Sequence, residues 1–124
     1  MKSILFVSLV WFSQLFTPNL NSIASALGSG NSDALGRYFD ENVEVSVQTK
    51  EDTYSKTQAT DMVRDFFAKN KPKTFNQLHQ GVSKGNGHYS IGDLQTSSGT
   101  YRVYMFMKVV NDNYMIQEIR FDKN

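Results

Sequence analysis

The sequence contains no cysteine. That excludes a disulfide framework, a thiolate nucleophile and a thiolate metal site. It also excludes a lipid-anchored exported form, which needs a cysteine to carry the lipid. An excess of one charge is missing too. Lys+Arg 13 stand against Asp+Glu 12, so no net field steers the chain towards nucleic acid or acidic lipid. Two lone histidines, His79 and His88, have no clustered carboxylates around them, which gives no basis for a metal site, and no cofactor is expected. No apolar run is long enough for a membrane span. The longest, Ile4 to Phe16 behind Met1-Lys2, has the length of a signal-peptide core.

Residues 1–20 are therefore expected to be a signal peptide outside the fold, with residues 21–124 as one exported domain, periplasmic or extracellular, and no integral membrane span in the mature chain. Removing the leader takes away only Lys2 among charged residues, so the balance becomes even. Ala24-Ser25-Ala26 has the small-x-small form of a cleavage site, but a cut there would remove the start of the first helix. Cleavage between Thr17 and Asn21 suits folding better, and an uncleaved anchor is the alternative.

What is present is strongly β at the C-terminal end. Thr100 to Phe121 alternates residue by residue on both sides of Asn111-Asp112-Asn113, the pattern of an antiparallel hairpin. A three-residue loop pairs Val109 with Met115, Met107 with Gln117, Met105 with Ile119 and Val103 with Phe121. This register sends Arg102, Lys108, Glu118 and Arg120 to the opposite face, with Lys108 diagonal to Glu118. Further upstream, Phe75 to Ser83 and His88 to Thr96 read as strands around the tight turn Gly85-Asn86-Gly87. A two-residue turn at Ser98-Gly99 sets Leu94, Gly92 and Ser90 opposite Val103, Met105 and Met107, leaving a hollow over the two small residues. A three-residue loop would instead turn Tyr89 and Ile91 inward.

The N-terminal half carries the helices. Asn21 or Ser22 can cap a short one bearing Ile23 and Leu27, and Asn31 or Ser32 a second with Leu35, Tyr38 and Phe39. Asp40-Glu41-Asn42 has turn chemistry, Val43 to Val47 alternates as a strand, and Thr53-Tyr54 can return beside it. Ser55 and Gln58 then form a capping box. Ala59, Met62, Val63, Phe66 and Phe67 follow as one apolar stripe, and Asn70 and Pro72 stop the helix. Helices beside a run of strands make an α+β domain.

With these residues placed, the chain resembles the nuclear-transport-factor-2-like (cystatin-like) superfamily from about Asn21 to Asn124. A-L-G-R-Y-F-D-E-N-V-E-V (34–45) looks like the passage from helix to first strand, and Y-S-K-T-Q-A-T-D-M-V-R-D-F-F (54–67) like the helix that closes the cone. Y-R-V-Y-M-F-M-K (101–108) and Y-M-I-Q-E-I-R-F (114–121) look like the last two strands. The stretches F-F-A-K-N-K-P-K-T-F (66–75) and H-Q-G-x-S-K-G (79–85) are similar to a group of small exported bacterial proteins classed only as a domain of unknown function. The resemblance implies a curved antiparallel sheet wrapped around a long helix, with a pocket at the wide end. Its members include isomerases, dehydratases and non-catalytic binding modules, so fold does not settle function.

Catalysis of the isomerase kind needs a carboxylate or histidine inside the cone with a proton donor beside it. Register leaves that face almost free of ionisable groups. Glu118 falls outside, and Asp61 and Asp65 lie on a helix flank where solvated charges are usual. His79, taken to share the inner face with Gln77, is the one weak catalytic candidate, whereas His88 beside the glycine turn is expected at the surface. Tyr54, Tyr101, Gln117, Met62 and Phe66 are the ligand-pocket candidates, set against ordinary core packing. Tyr89, Ile91, Tyr104, Phe106, Tyr114 and Ile116 are the interface candidates on the outer face, set against cover by the chain's own N-terminal segment. The expectation is an exported, non-catalytic domain that binds a small apolar ligand or a protein partner, with a homodimer through the outer sheet face. The alternative is an isomerase or dehydratase with a pocket histidine as base.

Overall fold

A computed structural model describes residues 20–124, so the expected signal segment, apart from Leu20, lies outside the described residues. The chain forms helices α1 (Leu20–Ser29) and α2 (Ser32–Gly36), strands β1 (Phe39–Val47) and β2 (Lys50–Ser55), and helix α3 (Lys56–Lys69). Strands β3 (Pro72–Val82), β4 (Gly87–Thr96), β5 (Gly99–Val110) and β6 (Asn113–Lys123) follow. All six strands belong to one open, curved sheet in the order β2-β1-β6-β5-β4-β3. The α+β class is as expected. The sheet is mixed rather than wholly antiparallel, because β1 runs parallel to β6. None of the described helices is long and apolar enough to cross a membrane.

Local sequence chemistry accounts for most boundaries. Asn31 caps α2 by accepting from the Ala34 N–H at 3.0 Å. The first helix starts at Leu20, so Asn21 and Ser22 lie in its first turn rather than capping it. In α3 both arms of the capping box are made, Ser55 Oγ with the Gln58 N–H and Gln58 Oε1 with the Ser55 N–H, each at 3.2 Å. Asn70 closes that helix, its side chain donating to the Phe66 carbonyl at 3.0 Å. Asp40-Glu41-Asn42 is not a turn but part of β1, where four residues (40–43) stand opposite the single Gln117 of β6.

Three hairpins depart from the simplest reading of the sequence. The β5–β6 turn has two residues, Asn111 and Asp112, with φ of 52° and 65°, the doubly left-handed turn that asparagine and aspartate tolerate. The strands then pair Lys108 with Met115 and Met107 with Ile116, and a bulge at Gln117 restores the expected pairs Met105–Ile119 and Val103–Phe121. The β4–β5 turn is Ser97-Ser98, one residue earlier than predicted, which moves every cross-strand partner by two. Thr96 fixes it, its hydroxyl donating to the Gly99 carbonyl at 2.7 Å and accepting from the Ser98 N–H at 3.1 Å. Because the slip is even, side-chain parity survives: Ser90 faces Met105 and Gly92 faces Val103. A third irregularity, at Leu78 in β3, aligns Gln77 with Gly92 and His79 with Ile91.

The core fills the concave side. Phe66 of α3 stacks on Phe121 at 4.3 Å and meets Tyr101 edge-on at 5.0 Å. Ile23 and Leu27 of α1, Leu35, Phe39, Val103, Met105 and Ile119 are all buried around this group. The hollow expected over Gly92 is closed by Phe75, since a Cβ at Gly92 would lie 2.4 Å from its ring.

Candidate binding surfaces

The expected pocket residues are not gathered into one cavity. Tyr101 is buried and donates its hydroxyl to Asn70 Oδ1 at 3.1 Å. Gln117, displaced by its bulge, donates to Asp40 Oδ2 at 3.0 Å. Tyr54 packs against the core from β2. Met62 and Phe66 line a cavity of about 250 Å³ with Val47, Lys50 and Asn70. A cavity of about 350 Å³ opens elsewhere, at the far end of the sheet, between Leu20, Gln80, Val82, His88, Met107 and Tyr114. His88 and Tyr114 form its aromatic wall, rings edge-on at 5.2 Å. Parity alone puts His88 and Met107 on one face, but the Ser97-Ser98 turn has to be known to make them a direct pair.

His79 lies opposite Ile91, whereas Gln77 lies opposite Gly92. Residues directly opposite share a face, so the bulge between them puts His79 on the outer face and exposed, away from the face of Gln77, which is itself exposed. Asp61 pairs with Arg64 at 2.5 Å and Asp65 with Lys69 at 3.1 Å. Arg64 also bonds Asp33, the first cause that holds its guanidinium above its ordinary pKa. Both aspartates are thus solvent-side ion-pair partners.

The outer face keeps four of the six interface candidates together. Tyr89 lies directly opposite Phe106 and Ile91 directly opposite Tyr104, and all four are only partly buried. The other two are corrected. The two-residue turn and the Gln117 bulge turn Ile116 into the core, fully buried, and Tyr114 towards the mouth. Two of the outer rings cover glycines: a Cβ at Gly81 would meet the Tyr89 ring at 2.6 Å, and one at Gly87 the Phe106 ring at 2.8 Å. Charged pairs flank the patch on both sides. Arg102 donates to Asp93 at 2.8 Å, and Arg120 bonds Glu118 at 2.6 Å while reaching Glu51 at 3.4 Å. Lys108 and Glu118 form no ion pair among the described residues: Glu118 is opposite Phe106 as expected, but the extra residue at Gln117 sets Lys108 opposite Met115.

These neighbours set the electrostatics of the face. Burial, then the Glu118 carboxylate, raises the Tyr104 phenol above its ordinary pKa. The hydrogen bond to Glu118 raises that of Arg120, whose guanidinium carbon sits 6.0 Å from the Tyr104 ring centre. Carboxylate oxygens of Glu44, Glu51 and Glu118 lie within 4.8 Å of one another. Arg120 contacts two of the three and offsets their charge.

Residues 20–122 match the family model for DUF4783, a domain of unknown function. The chain is similar to a DUF4783 protein from Bacteroides ovatus ATCC 8483 at 35% identity, covering 83% of this chain and 93% of that one, with a TM-score of 0.78. A DUF4783 protein from Bacteroides uniformis ATCC 8492 is 32% identical over 85% and 96%, with a TM-score of 0.79. An NTF-2-like protein of unknown function from Burkholderia xenovorans LB400 shares the fold at a TM-score of 0.64, with 13% identity over 90% and 86%. No curated protein matches the sequence.

Proposed function

The chain belongs to the DUF4783 family, with the nuclear-transport-factor-2-like fold, and on that premise we propose that it is an exported, non-catalytic binding domain that works through its outer sheet face. The observation that carries this reading is the block of two cross-strand pairs, Tyr89–Phe106 and Ile91–Tyr104, flanked by ion pairs of both signs. Aromatic centres with charged rims are how interfaces are built. A rim that carries both signs on each flank is self-complementary, since a two-fold axis brings cations of one copy over carboxylates of the other. The partner that fits is therefore a second copy of the chain.

Sedimentation velocity tests this. A dimer in the micromolar range that Phe106→Lys disperses is expected, and a monomer at several hundred micromolar overturns it. The export arm is tested by cell fractionation: a cytoplasmic chain that keeps residues 1–20 refutes it. An isomerase or dehydratase with His79 as base gains nothing from an exposed outer-face position.

A second reading is favoured by the mouth cavity of about 350 Å³. Its lining is mainly apolar, and its size is at the lower end of the roughly 300–1,000 Å³ of ligand sites. It suits one small apolar group. Mass spectrometry of a small molecule copurifying with the protein, lost on Val82→Lys, is the supporting result. Retention of that molecule in the variant excludes the mouth.

A further inference from the structure

The two edges of the sheet are unlike. β2 is short, and Lys50, Glu51 and Asp52 charge it, the usual defence of an edge strand. β3 is longer, and no strand among the described residues pairs with its other side. Its first half is guarded. Pro72 and Lys73 stand there, and α1 crosses close by, a Cβ at Gly28 lying 3.3 Å from the Phe75 nitrogen. Beyond the bulge, from His79 to Val82, the strand holds no Lys, Arg, Asp or Glu and no proline. Two of the three exposed large apolar side chains among the described residues lie on this strand, Leu78 at 48% and Val82 at 71% exposure. Gln80, Gly81 and Val82 also form one wall of the mouth cavity.

An unpaired strand edge is a row of N–H and C=O groups that only another extended chain can satisfy along its length. Here a cavity lies beside that row, on the side to which Gln80 and Val82 point, as their pairing with Ser90 and His88 shows. We propose that the free edge of β3 from His79 to Val82 accepts an extended, uncharged peptide segment as a seventh strand, seating one large apolar side chain between Val82, His88, Met107 and Tyr114. Main-chain hydrogen bonds supply attachment, and the cavity supplies selection at one position. No carboxylate or ammonium among the described residues lines the cavity, so a charged residue at that position is desolvated without a partner there. The bulge at Leu78 sets one limit of the docking stretch, and the hydrogen bond from the Ser83 N–H to the Gly87 carbonyl, which closes the β3–β4 hairpin at 2.8 Å, sets the other.

The inference rests on the reading of the mouth as a binding cavity, and the test separates the two. Calorimetric titration of the full chain uses an acetylated, amidated T-V-T-F-T-V-T peptide and its versions with a central A or D. Expected are binding of the first, binding weaker by at least about tenfold with A, and none with D. N-methylation of one alternate set of peptide amides should abolish binding, and methylation of the other set should not. Val82→Lys should weaken binding about tenfold while leaving the thermal melt unchanged. Equal binding of all three peptides, indifference to both methylations, or no heat at millimolar peptide overturns the proposal. Nile red, a neutral apolar dye, probes the mouth alone. Dye bound without peptide leaves the mouth reading standing and the strand addition refuted, whereas neither bound refutes both. A dimer dispersed by Leu78→Lys but not by Phe106→Lys gives the edge to a second copy, which also overturns it.

Discussion

Gly92→Ala is the substitution whose cost the structure fixes most closely. An alanine Cβ there lies 2.4 Å from Phe75 Cζ and 2.7 Å from the Asn76 carbonyl oxygen, against an ordinary contact of 3.4–4 Å. The Phe75 ring must swing by about an ångström, and the carbonyl belongs to the neighbouring strand, so it moves only if the β3–β4 ladder parts. Overpacking of this kind costs about 1–3 kcal/mol. Gly92 has no positive φ, so alanine also restricts the unfolded chain and returns roughly 0.4–1 kcal/mol. A net loss of about 1.5 kcal/mol follows, seen as a fall of roughly 6–8 °C in Tm. Phe75→Ala alone empties the site above the glycine and costs about 2 kcal/mol, less than the roughly 3–5 of a fully buried phenylalanine. In the Phe75→Ala background the alanine at 92 meets only the carbonyl, so the pair should be less destabilised than the sum of the singles by about 1 kcal/mol. Urea titrations of the four proteins measure this. Additive losses would show that the ring does not close the hollow, and the account of how this sheet is filled would fail.

Three further outcomes are expected. Ser55→Ala removes one arm of the capping box and should cost about 1 kcal/mol, a fall of roughly 4–5 °C in Tm, and an unchanged melt would deny the cap a role. The Tyr104 phenol, raised by burial and then by Glu118, favours the neutral form in the fold. Its contribution is complete below the ordinary tyrosine pKa and is lost as pH rises through the higher folded value. Phenolate absorbance of the wild type minus Tyr104→Phe should place its midpoint above that ordinary value, and a midpoint at or below it refutes the burial. Ser90 Oγ is buried without a hydrogen-bond partner among the described residues, so Ser90→Ala should leave stability unchanged or raise it by up to about 1 kcal/mol. A clear loss of stability would contradict that environment.

Much of the architecture was legible because local rules and tertiary packing agree. The Ser55–Gln58 box, the stripe from Ala59 to Phe67 and the Asn70 stop all appear as read. So does the inner set Val103, Met105, Ile119 and Phe121, because alternation reports burial directly. The parallel pairing of β1 with β6 joins segments far apart in sequence, and no local pattern carries it. The Ser97-Ser98 turn was missed because Ser98-Gly99 has the stronger hairpin composition, while the Thr96 hydroxyl that decides the matter is a side-chain bond three residues back. The mouth was missed with it, since the positions of His88 and Met107 depend on that register.

Bulges did most to redistribute the candidate residues. A strand pattern is informative only while its phase is kept, and one inserted residue sends every following side chain to the other face. The insertion at Gln117, with the shorter turn, carries Ile116 and Tyr114 inward, which shrinks the outer patch to four side chains but completes the mouth with Tyr114. The insertion at Leu78 carries His79 outward and so takes the one candidate base away from the concave face. It also brings Gln80 and Val82 back into phase with the inner side, alongside Ser90 and His88. Without that insertion Val82 and Gln80 would face outward, away from the cavity they now wall. Two irregularities that weaken a catalytic reading are thus the ones that set an unpaired strand edge beside an apolar cavity. A binding role predicts that juxtaposition, and a histidine-based isomerase has no use for it.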